Sequence, residues 1–330
     1  MPRAEITTKG LKRDLTKRKY KPWSSIAEYI WNGFDAGASV VNVRANYNEL
    51  GGVRSISISD NGNGISNPKK FEPVFESEKK QDYESPRVSS IPHGKNGLGR
   101  FTFFTFAAEA SWHTVYQKDD GHNYKYEVSI NSDSLLEWNF KKDPVKTNEA
   151  VGTTVNFTLI NSSFTDIEDL EILDCLKQEF AWFLELNKAN NYKLNINDSP
   201  LKYSELIIDS EKLQSKMIGE HEFEFGFILW SCKLNEEYSR YYLVNAHSIE
   251  KFSKTTNLNN KGDEFFHSVY IKSSLFDEMV DLTIYGTNIG EANIFHHTKE
   301  GKAFNEMLKF LENYLHDKRR PFIKKLRVES

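Results

Sequence analysis

Apolar residues recur every three to four positions in several parts of the chain, and this spacing is typical of amphipathic helices. It predicts helices over about 166–187 and 302–317. A shorter helix is predicted over Gly97–Ala108, where glycines lead into a run of phenylalanines. The first helix of the chain is predicted from the apolar stripe Ile26, Ala27, Ile30, Trp31 and Phe34.

Between these helices apolar and polar residues alternate, as expected for strands that bury one face. Asp120-Gly121, between two such segments, predicts a tight hairpin. The predicted strands cover residues 41–47, 56–60, 110–116, 124–130, 153–160, 221–230, 240–246 and 266–272. Helices and strands interspersed in this way predict a protein of the α/β class.

A chain of 330 residues is long enough for two domains with separate cores. The pattern of helix and strand restarts near residue 163, so we predict domains over 23–163 and 164–330. Residues 1–22 form a basic arm with little core-forming pattern. We expect further domains to follow Ser330 in the complete protein.

Composition narrows the class of protein. The 38% hydrophobic and 27% charged residues are typical of a globular chain. No apolar run could span a bilayer, and the first 25 residues lack the apolar core of a secretory signal. Cys175 and Cys232 lie far apart, which supports neither a disulfide framework nor a zinc site. We expect a cytoplasmic protein without membrane contact.

The net charge is −4, but cations concentrate at both ends of the chain. Either end could contact nucleic acid by neutralising phosphates. The alternative is a solvated arm and a solvated helix end. The cations are Arg3, Lys9, Lys12, Arg13, Lys17, Arg18, Lys19 and Lys21 in the arm, and Lys318, Arg319, Arg320, Lys324, Lys325 and Arg327 near the end.

The first chemical motif is Glu28 with Asn32 on the first predicted helix. Residues four apart share a helix face, about 5–6 Å apart at Cβ. A carboxylate that polarises water and an amide oxygen that holds a hard cation could therefore act on one phosphate. Ser25 with Glu28 also fits a capping box, which would give Glu28 a purely local role.

The second motif is Asp60-Asn61-Gly62-Asn63-Gly64-Ile65, which follows a strand. Two Asn-Gly dipeptides favour a tight hairpin turn. A calcium loop is excluded, because glycines occupy positions where that loop needs oxygen ligands. The functional interpretation is adenine recognition: an aspartate at a strand end can accept the exocyclic amine, while glycines let the backbone approach the base.

The third motif is the run from His93 to Arg100, His-Gly-Lys-Asn-Gly-Leu-Gly-Arg. It matches neither a Walker loop nor a dinucleotide fingerprint. A glycine-rich loop before a helix suits a polyphosphate, because backbone N–H groups and the positive end of the helix dipole face it. Lys95 or Arg100 could add charge, or either could be a surface residue.

The fourth motif, Gly152-Thr153-Thr154, is ordinary strand sequence in isolation. In this order, the four motifs resemble the N, G1, G2 and Gly-Thr boxes of the gyrase, heat-shock chaperone, histidine kinase and MutL (GHKL) ATPases. The resemblance covers about residues 23–160. It implies a Bergerat nucleotide domain, a two-layer α+β sandwich, followed by a transducer-like α/β domain.

The resemblance also implies residue roles. Glu28 would be the general base for the attacking water, Asn32 the ligand of Mg²⁺, and Asp60 the adenine contact, supported through water by Thr153. Residues 66–96 would form the ATP lid. The implied nucleotide contacts are Asn32, Asp35, Asp60, Gly62, Gly64, Ile65, Gly94, Lys95, Asn96, Gly97, Leu98, Gly99, Arg100 and Thr153.

Glu28 places the chain with the hydrolysing branch, because histidine kinases carry an asparagine where this base lies. The branch implies an Mg²⁺-dependent ATPase in which lid closure drives homodimerisation through the arm. No residue of 164–330 stands out as the lysine or arginine that would reach the γ-phosphate. Trp31 replaces an acidic residue of the MutL proteins, so mismatch repair is disfavoured.

Three outputs fit such an ATPase. The basic ends favour a clamp or motor on nucleic acid, including DNA repair, chromatin-like or antiviral (phage-defence) roles. The sequence pI of about 6.2 favours a chaperone-like ATPase acting on protein clients. The third is a regulatory module that binds ATP without hydrolysing it and gates a partner.

Overall fold

The structure, a computed structural model, describes residues 7–17, 20–71, 98–140, 143–162, 164–234, 239–247, 249–259, 263–277 and 298–329. The described residues fall into two compact units. The first contains those up to Lys177 together with Asn190–Leu201, and the second contains Gln178–Ala189 and those from Lys202 onward. The boundary near residue 163 stays a prediction, since the interval 164–201 contributes to both units.

The described chain contains both helices and strands, with runs of strands between the helices, which confirms the predicted α/β class. The helices are α1 (Thr8–Lys17), α2 (Pro22–Asp35), α3 (Leu170–Leu186) and α4 (Lys299–Glu329). The strands of the first unit are β1 (Val40–Tyr47), β2 (Val53–Asp60), β3 (Ala107–Gln117), β4 (Asn123–Asn131), β5 (Trp138–Phe140), β6 (Val145–Thr147), β7 (Gly152–Ile160), β8 (Lys193–Ile196) and β9 (Ser199–Pro200). Those of the second unit are β10 (Ile207–Ile218), β11 (His221–Trp230), β12 (Arg240–Val244), β13 (Glu250–Thr255) and β14 (Phe266–Lys272).

The first unit is built on a mixed sheet in the order β5-β4-β3-β7-β2-β1-β8-β9, with β6 beside β4. The pairs are antiparallel except β1 with β8, which is parallel. In the antiparallel pair of β2 and β7, Asp60 lies opposite Thr153. The sheet therefore places the ends of the second and fourth motifs side by side.

Helix α2 packs against the sheet and buries the apolar stripe that the sequence predicts. Ile26, Ile30 and Phe34 are fully buried, and Trp31 is 3% exposed. Trp31 therefore packs in the core. Burial of this stripe supplies most of the free energy that holds the helix on the sheet.

The described part of the basic arm contains a helix that the sequence did not predict. Residues Thr8–Lys17 form α1, in which Leu11 and Leu15 are fully buried. Lys12 also pairs with Asp133 at 3.4 Å. The two leucines at i and i+4 share one face of the helix, and their burial favours its docking. This short apolar pair is the signal of α1 in the sequence.

The prediction of a helix over Gly97–Ala108 is wrong for the described residues of this range, in both the type of helix and its length. Gly99–Thr105 forms a 3-10 helix, and β3 begins already at Ala107. The segment is rich in phenylalanine and threonine, which favour strands. Pairing of β3 with β7 extends to Ala107 opposite Ile160, so the sheet captures residues that the pattern assigned to a helix.

The second unit is a five-stranded sheet of described strands in the order β10-β11-β14-β12-β13, packed on α4. Phe225 contacts Phe310 and Tyr314 edge-on, with ring centroids 5.4 and 5.5 Å away. Helix α4 continues past the predicted end at residue 317 and through Pro321. Ion pairs of Lys318 with Glu211 and of Arg319 with Asp263 hold this extension.

In the part of the chain that the structure describes, no helix has the length and apolarity needed to cross a membrane.

Candidate nucleotide site

Helix α2 carries Glu28 and Asn32 at the edge of its buried face. Both residues are half-buried, whereas their neighbours Tyr29 and Trp31 are each 3% exposed. Asp35, the last residue of the helix, is also half-buried. The carboxylate and the carboxamide therefore lie on one side of the helix, next to the core but not within it.

The capping-box explanation of Glu28 is wrong. The helix begins at Pro22, and the backbone N–H of Lys21 donates to Oγ of Ser24 at 2.9 Å. Ser25 lies one residue inside the first turn, where its Oγ accepts a hydrogen bond from Oγ1 of Thr105 at 2.9 Å. Proline is well suited to a first helical position, so the start of α2 is set without Glu28.

Asp60 comes close to α2 because the helix carries a glycine next to Asn32. A Cβ at Gly33 would lie 3.0 Å from both Cβ of Asp60 and Cγ2 of Val41. A larger residue would crowd these side chains of β1 and β2, so that they or the helix would have to shift. Gly33 thus lets α2, at the residue after Asn32, approach the strand end that carries Asp60, and no motif of the sequence assigned it this part.

The side chain of Asp60 is fixed by backbone donors. The N–H of Gly62 donates to its Oδ1 at 2.8 Å, and the backbone of Thr153 also bonds to this carboxylate. Burial raises the pKa of Asp60 to about 6, although the two hydrogen bonds oppose the rise. A buried carboxylate with a raised pKa can accept a further hydrogen bond at neutral pH, and an added donor would offset part of the cost of burying its charge.

The loop after Asp60 is not a hairpin, which corrects the simplest interpretation of its Asn-Gly pairs. The described partners of β2 are β1, which precedes it, and β7. The loop instead turns toward β3, where the N–H of Ile65 donates to Oγ1 of Thr114 at 2.8 Å. Thr114 in turn shares a hydrogen bond with the Thr153 hydroxyl at 3.0 Å.

Thr114 therefore joins the second and fourth motifs, and no motif pointed to it. In the sequence it is only a polar position in the predicted strand 110–116, and its place opposite Thr153 comes from the register of β3 and β7. Gly152, the glycine of the fourth motif, also brings the two motifs together. A Cβ at this position would lie 2.2 Å from the carbonyl oxygen of Asp60. The close approach of these two strand ends explains why a glycine precedes Thr153.

The described end of the third motif lies against the first. A Cβ at Gly99 would be 2.7 Å from Oε2 of Glu28. Leu98 is 2% exposed, so its side chain belongs to the core and only its backbone could face a ligand. The structure therefore brings the last glycine of the loop to the carboxylate of α2.

Arg100 is held by the protein itself. Its Nη2 donates to the carbonyl oxygen of Phe71 at 3.0 Å, and its guanidinium lies 4.4 Å from the ring centre of Phe101. Burial lowers the pKa of Arg100 to about 10, so it remains charged at neutral pH. Gly94, Lys95, Asn96 and Gly97, and the predicted lid beyond residue 71, lie outside the described residues.

The residues fit a metal that arrives with a nucleotide better than a metal bound by protein alone. Within the described ranges, no three His, Cys, Asp or Glu side chains cluster as a metal site. Mg²⁺ commonly takes one or two protein oxygens and completes its shell with phosphates and waters. One amide oxygen at Asn32 is compatible with that pattern.

The fold and this arrangement define an ATP-binding domain. Residues 20–158 match the family described as "Histidine kinase-, DNA gyrase B-, and HSP90-like ATPase". This part of the chain therefore belongs to the GHKL ATPase superfamily, whose members generally hydrolyse ATP, typically with Mg²⁺, and often dimerise. The predicted superfamily membership is confirmed.

Among solved structures, the chain is similar to the ATPase region of Saccharomyces cerevisiae topoisomerase II, with 15% sequence identity. The alignment covers 87% of this chain and 85% of that chain, with a TM-score of 0.41. No curated protein matches the chain.

Proposed function

We propose that the domain binds ATP with Mg²⁺ and hydrolyses it, with Glu28 as the general base. The contact between Gly99 and the Glu28 carboxylate carries this proposal. Backbone N–H groups of a glycine-rich segment are suited to phosphate oxygens, and a carboxylate beside them can take the proton of an attacking water. Phosphoryl transfer asks mainly for such positioning and for charge stabilisation.

The positions of the side chains support the remaining roles. Asn32 would hold Mg²⁺ together with phosphate oxygens, and the metal would neutralise charge on the transferred phosphate. Asp60 would accept the exocyclic amine of adenine, with Thr153 supporting it. Gly62, Gly64 and Ile65 would line the base.

The test is ATP turnover of Glu28→Gln, which keeps the size of the side chain and removes the base. We expect turnover to fall at least about a hundredfold, with ADP affinity within about twofold of wild type. Glu49→Gln is the matched control, because Glu49 is exposed in the turn between β1 and β2. Undiminished turnover in Glu28→Gln would contradict the assignment of the base.

Nucleotide-driven lid closure and homodimerisation complete the proposal. Arg100 supports lid closure, because its side chain bonds to the backbone of Phe71, near the start of the predicted lid. Arg100 itself follows Gly99, which lies beside Glu28. Light scattering with a non-hydrolysable ATP analogue tests homodimerisation. A monomer at saturating analogue, with wild-type binding, would contradict dimerisation.

A nucleic-acid output is favoured by the exposed face of α1. Lys9, Arg13 and Lys17 are exposed at i, i+4 and i+8, and none of them pairs with another described residue. Like charges at this spacing destabilise a helix by a few tenths of a kcal/mol per pair. They become favourable beside a phosphate backbone. The two leucines on the other face are buried, so the helix presents charge without an apolar surface.

The other basic end contributes less, because much of its charge is neutralised internally. Lys318 pairs with Glu211, Arg319 with Asp263, and Arg320 with Asp317 at 3.0 Å. We therefore infer that α1 is the main cationic contact.

The test compares duplex DNA binding of wild type with the triple variant K9A/R13A/K17A. We expect the triple variant to bind more weakly and with a slope of log K against log salt that is smaller by about 2–3. The triple variant K118A/K146A/K193A, which removes three exposed lysines of the same unit, is the control and should bind as wild type does. Equal losses in both variants would indicate nonspecific charge effects and contradict an α1 contact.

Two other outputs remain as outcomes of the same measurements. Turnover that rises with an unfolded protein client, but not with DNA, would favour a chaperone-like ATPase. ATP binding without turnover in the wild type would favour a nucleotide-gated regulatory module.

A further inference from the structure

Tyr29, the residue after Glu28, joins α2 to the backbone of the glycine-rich segment. Its side chain is 3% exposed, and its hydroxyl donates a hydrogen bond to the carbonyl oxygen of Arg100 at 2.8 Å. Its ring packs edge-on against Phe157, with 4.7 Å between the ring centres. Because packing fixes the ring, the hydroxyl ties the Arg100 backbone to a defined point on the helix.

This bond lies beside a close approach of the helix and the segment. Arg100 follows Gly99, where a Cβ would be 2.7 Å from Oε2 of Glu28. A second bond, from Thr105 to Ser25 at 2.9 Å, joins the same two elements. Ser25 and Tyr29 thus flank Glu28 along α2, and both hold the segment that faces its carboxylate.

We propose that Tyr29 is a positioning residue, whose hydroxyl sets the distance between the Glu28 carboxylate and the backbone at Gly99. The inference rests on the proposed function, in which that distance decides whether a water can be deprotonated while it attacks a bound phosphate. A phenylalanine would fill the same space between Phe157 and Trp112. The hydroxyl is therefore not needed for packing, and small errors in such a distance reduce turnover strongly.

The test is Tyr29→Phe, which keeps the ring and removes only the hydroxyl. The hydroxyl also bonds to the backbone of Phe103 and to the side chain of Thr102, in the same segment. We expect kcat for ATP to fall about threefold to tenfold when these hydrogen bonds are lost. The Kd for ADP should change by less than about twofold, because ADP binding does not depend on the base. Turnover is expressed per ADP-binding site, so that any unfolded fraction does not count.

Tyr126→Phe is the matched control. Tyr126 is 4% exposed in the same unit, and its hydroxyl has no hydrogen-bond partner among the described residues. Removing that hydroxyl should leave kcat unchanged. A loss in both variants would show that any buried hydroxyl matters equally, and would overturn the positioning assignment.

The two proposals fail in different ways. Wild-type kcat in Tyr29→Phe, with turnover abolished in Glu28→Gln, would overturn the inference and leave the proposed function standing. A parallel loss of kcat and ADP affinity would also overturn it, because it would indicate general loosening of the site. Absence of turnover in the wild type would overturn both.

Discussion

Gly99 and Glu28 touch so closely that a Cβ at position 99 would lie 2.7 Å from Oε2 and 3.5 Å from Cδ of the glutamate. The obstructing atom is the end of a flexible side chain, so a larger residue at 99 can be accommodated if the carboxylate moves.

We predict that Gly99→Ala leaves the protein folded and impairs ATP turnover. The free energy of unfolding should change by less than about 1 kcal/mol, while kcat falls about tenfold or more because Glu28 is displaced. Gly52→Ala is the control, since the nearest atom to its Cβ would be Nδ2 of the Asn48 side chain, at 3.1 Å, in an exposed turn. Wild-type kcat in Gly99→Ala would show that Glu28 does not act from this position.

Gly64 is predicted to be the least replaceable glycine of the second motif. Its φ is +69°, and a Cβ there would lie 2.1 Å from the carbonyl oxygen of Val115. Backbone must shift to admit it, in addition to the strain of a positive φ. We expect Gly64→Ala to lower the free energy of unfolding in urea by roughly 2–4 kcal/mol.

Gly51→Ala separates the strain of a positive φ from the clash of the added Cβ with the backbone. Gly51 has a φ of +79° with nothing within 4 Å of the added Cβ, so only the backbone strain applies. Its cost should be about 1 kcal/mol. Equal costs at positions 51 and 64 would show that the loop moves away from β3 without loss.

Leu15 provides a test of how firmly α1 is docked. We expect Leu15→Ala to lower the free energy of unfolding by about 2–4 kcal/mol, because the side chain is fully buried. Leu50→Ala removes the same atoms from a residue that is 95% exposed and should change it by less than about 0.5 kcal/mol. Urea unfolding measures both. A negligible effect of Leu15→Ala would mean that α1 is not held by its leucines.

The elements with a long periodic pattern could be predicted from the sequence, and those stabilised by sheet pairing could not. The stripe from Ile26 to Phe34 identified α2, and alternation identified β7, β11 and β14. Strand β8 has only four residues, Lys193–Ile196, and is formed because its backbone pairs in parallel with β1. Four residues carry too little pattern to show such a partner.

The same division holds for the candidate site. The sequence could identify Glu28, Asp60 and Gly99 as site residues, because each belongs to a motif with fixed spacing. It could not identify Thr114 or Tyr29. The bonds of Thr114 to Thr153 and of Tyr29 to Arg100 join segments that are distant in sequence. Only the register of the strands and the packing of α2 bring those partners together.

Asp60 is expected to make stability depend on pH in a defined window. Its pKa is about 6 in the folded protein against an ordinary value of 3.8. Between these values the folded protein binds more protons than the unfolded one, so the free energy of unfolding falls as pH rises through the window. The contribution of this group is about 2–3 kcal/mol, present below pH 4 and lost above pH 6.

Asp60→Asn isolates this effect, because the amide keeps the shape and does not titrate. Subtracting the variant's free energy of unfolding from that of wild type should give a difference that rises by about 2–3 kcal/mol from pH 7 to pH 4. A flat difference would show that the carboxylate is not desolvated. Binding adds an independent check, because a bound adenine amine favours the ionised form. The ADP affinity of wild type, relative to Asp60→Asn, should therefore decline as pH falls below about 6.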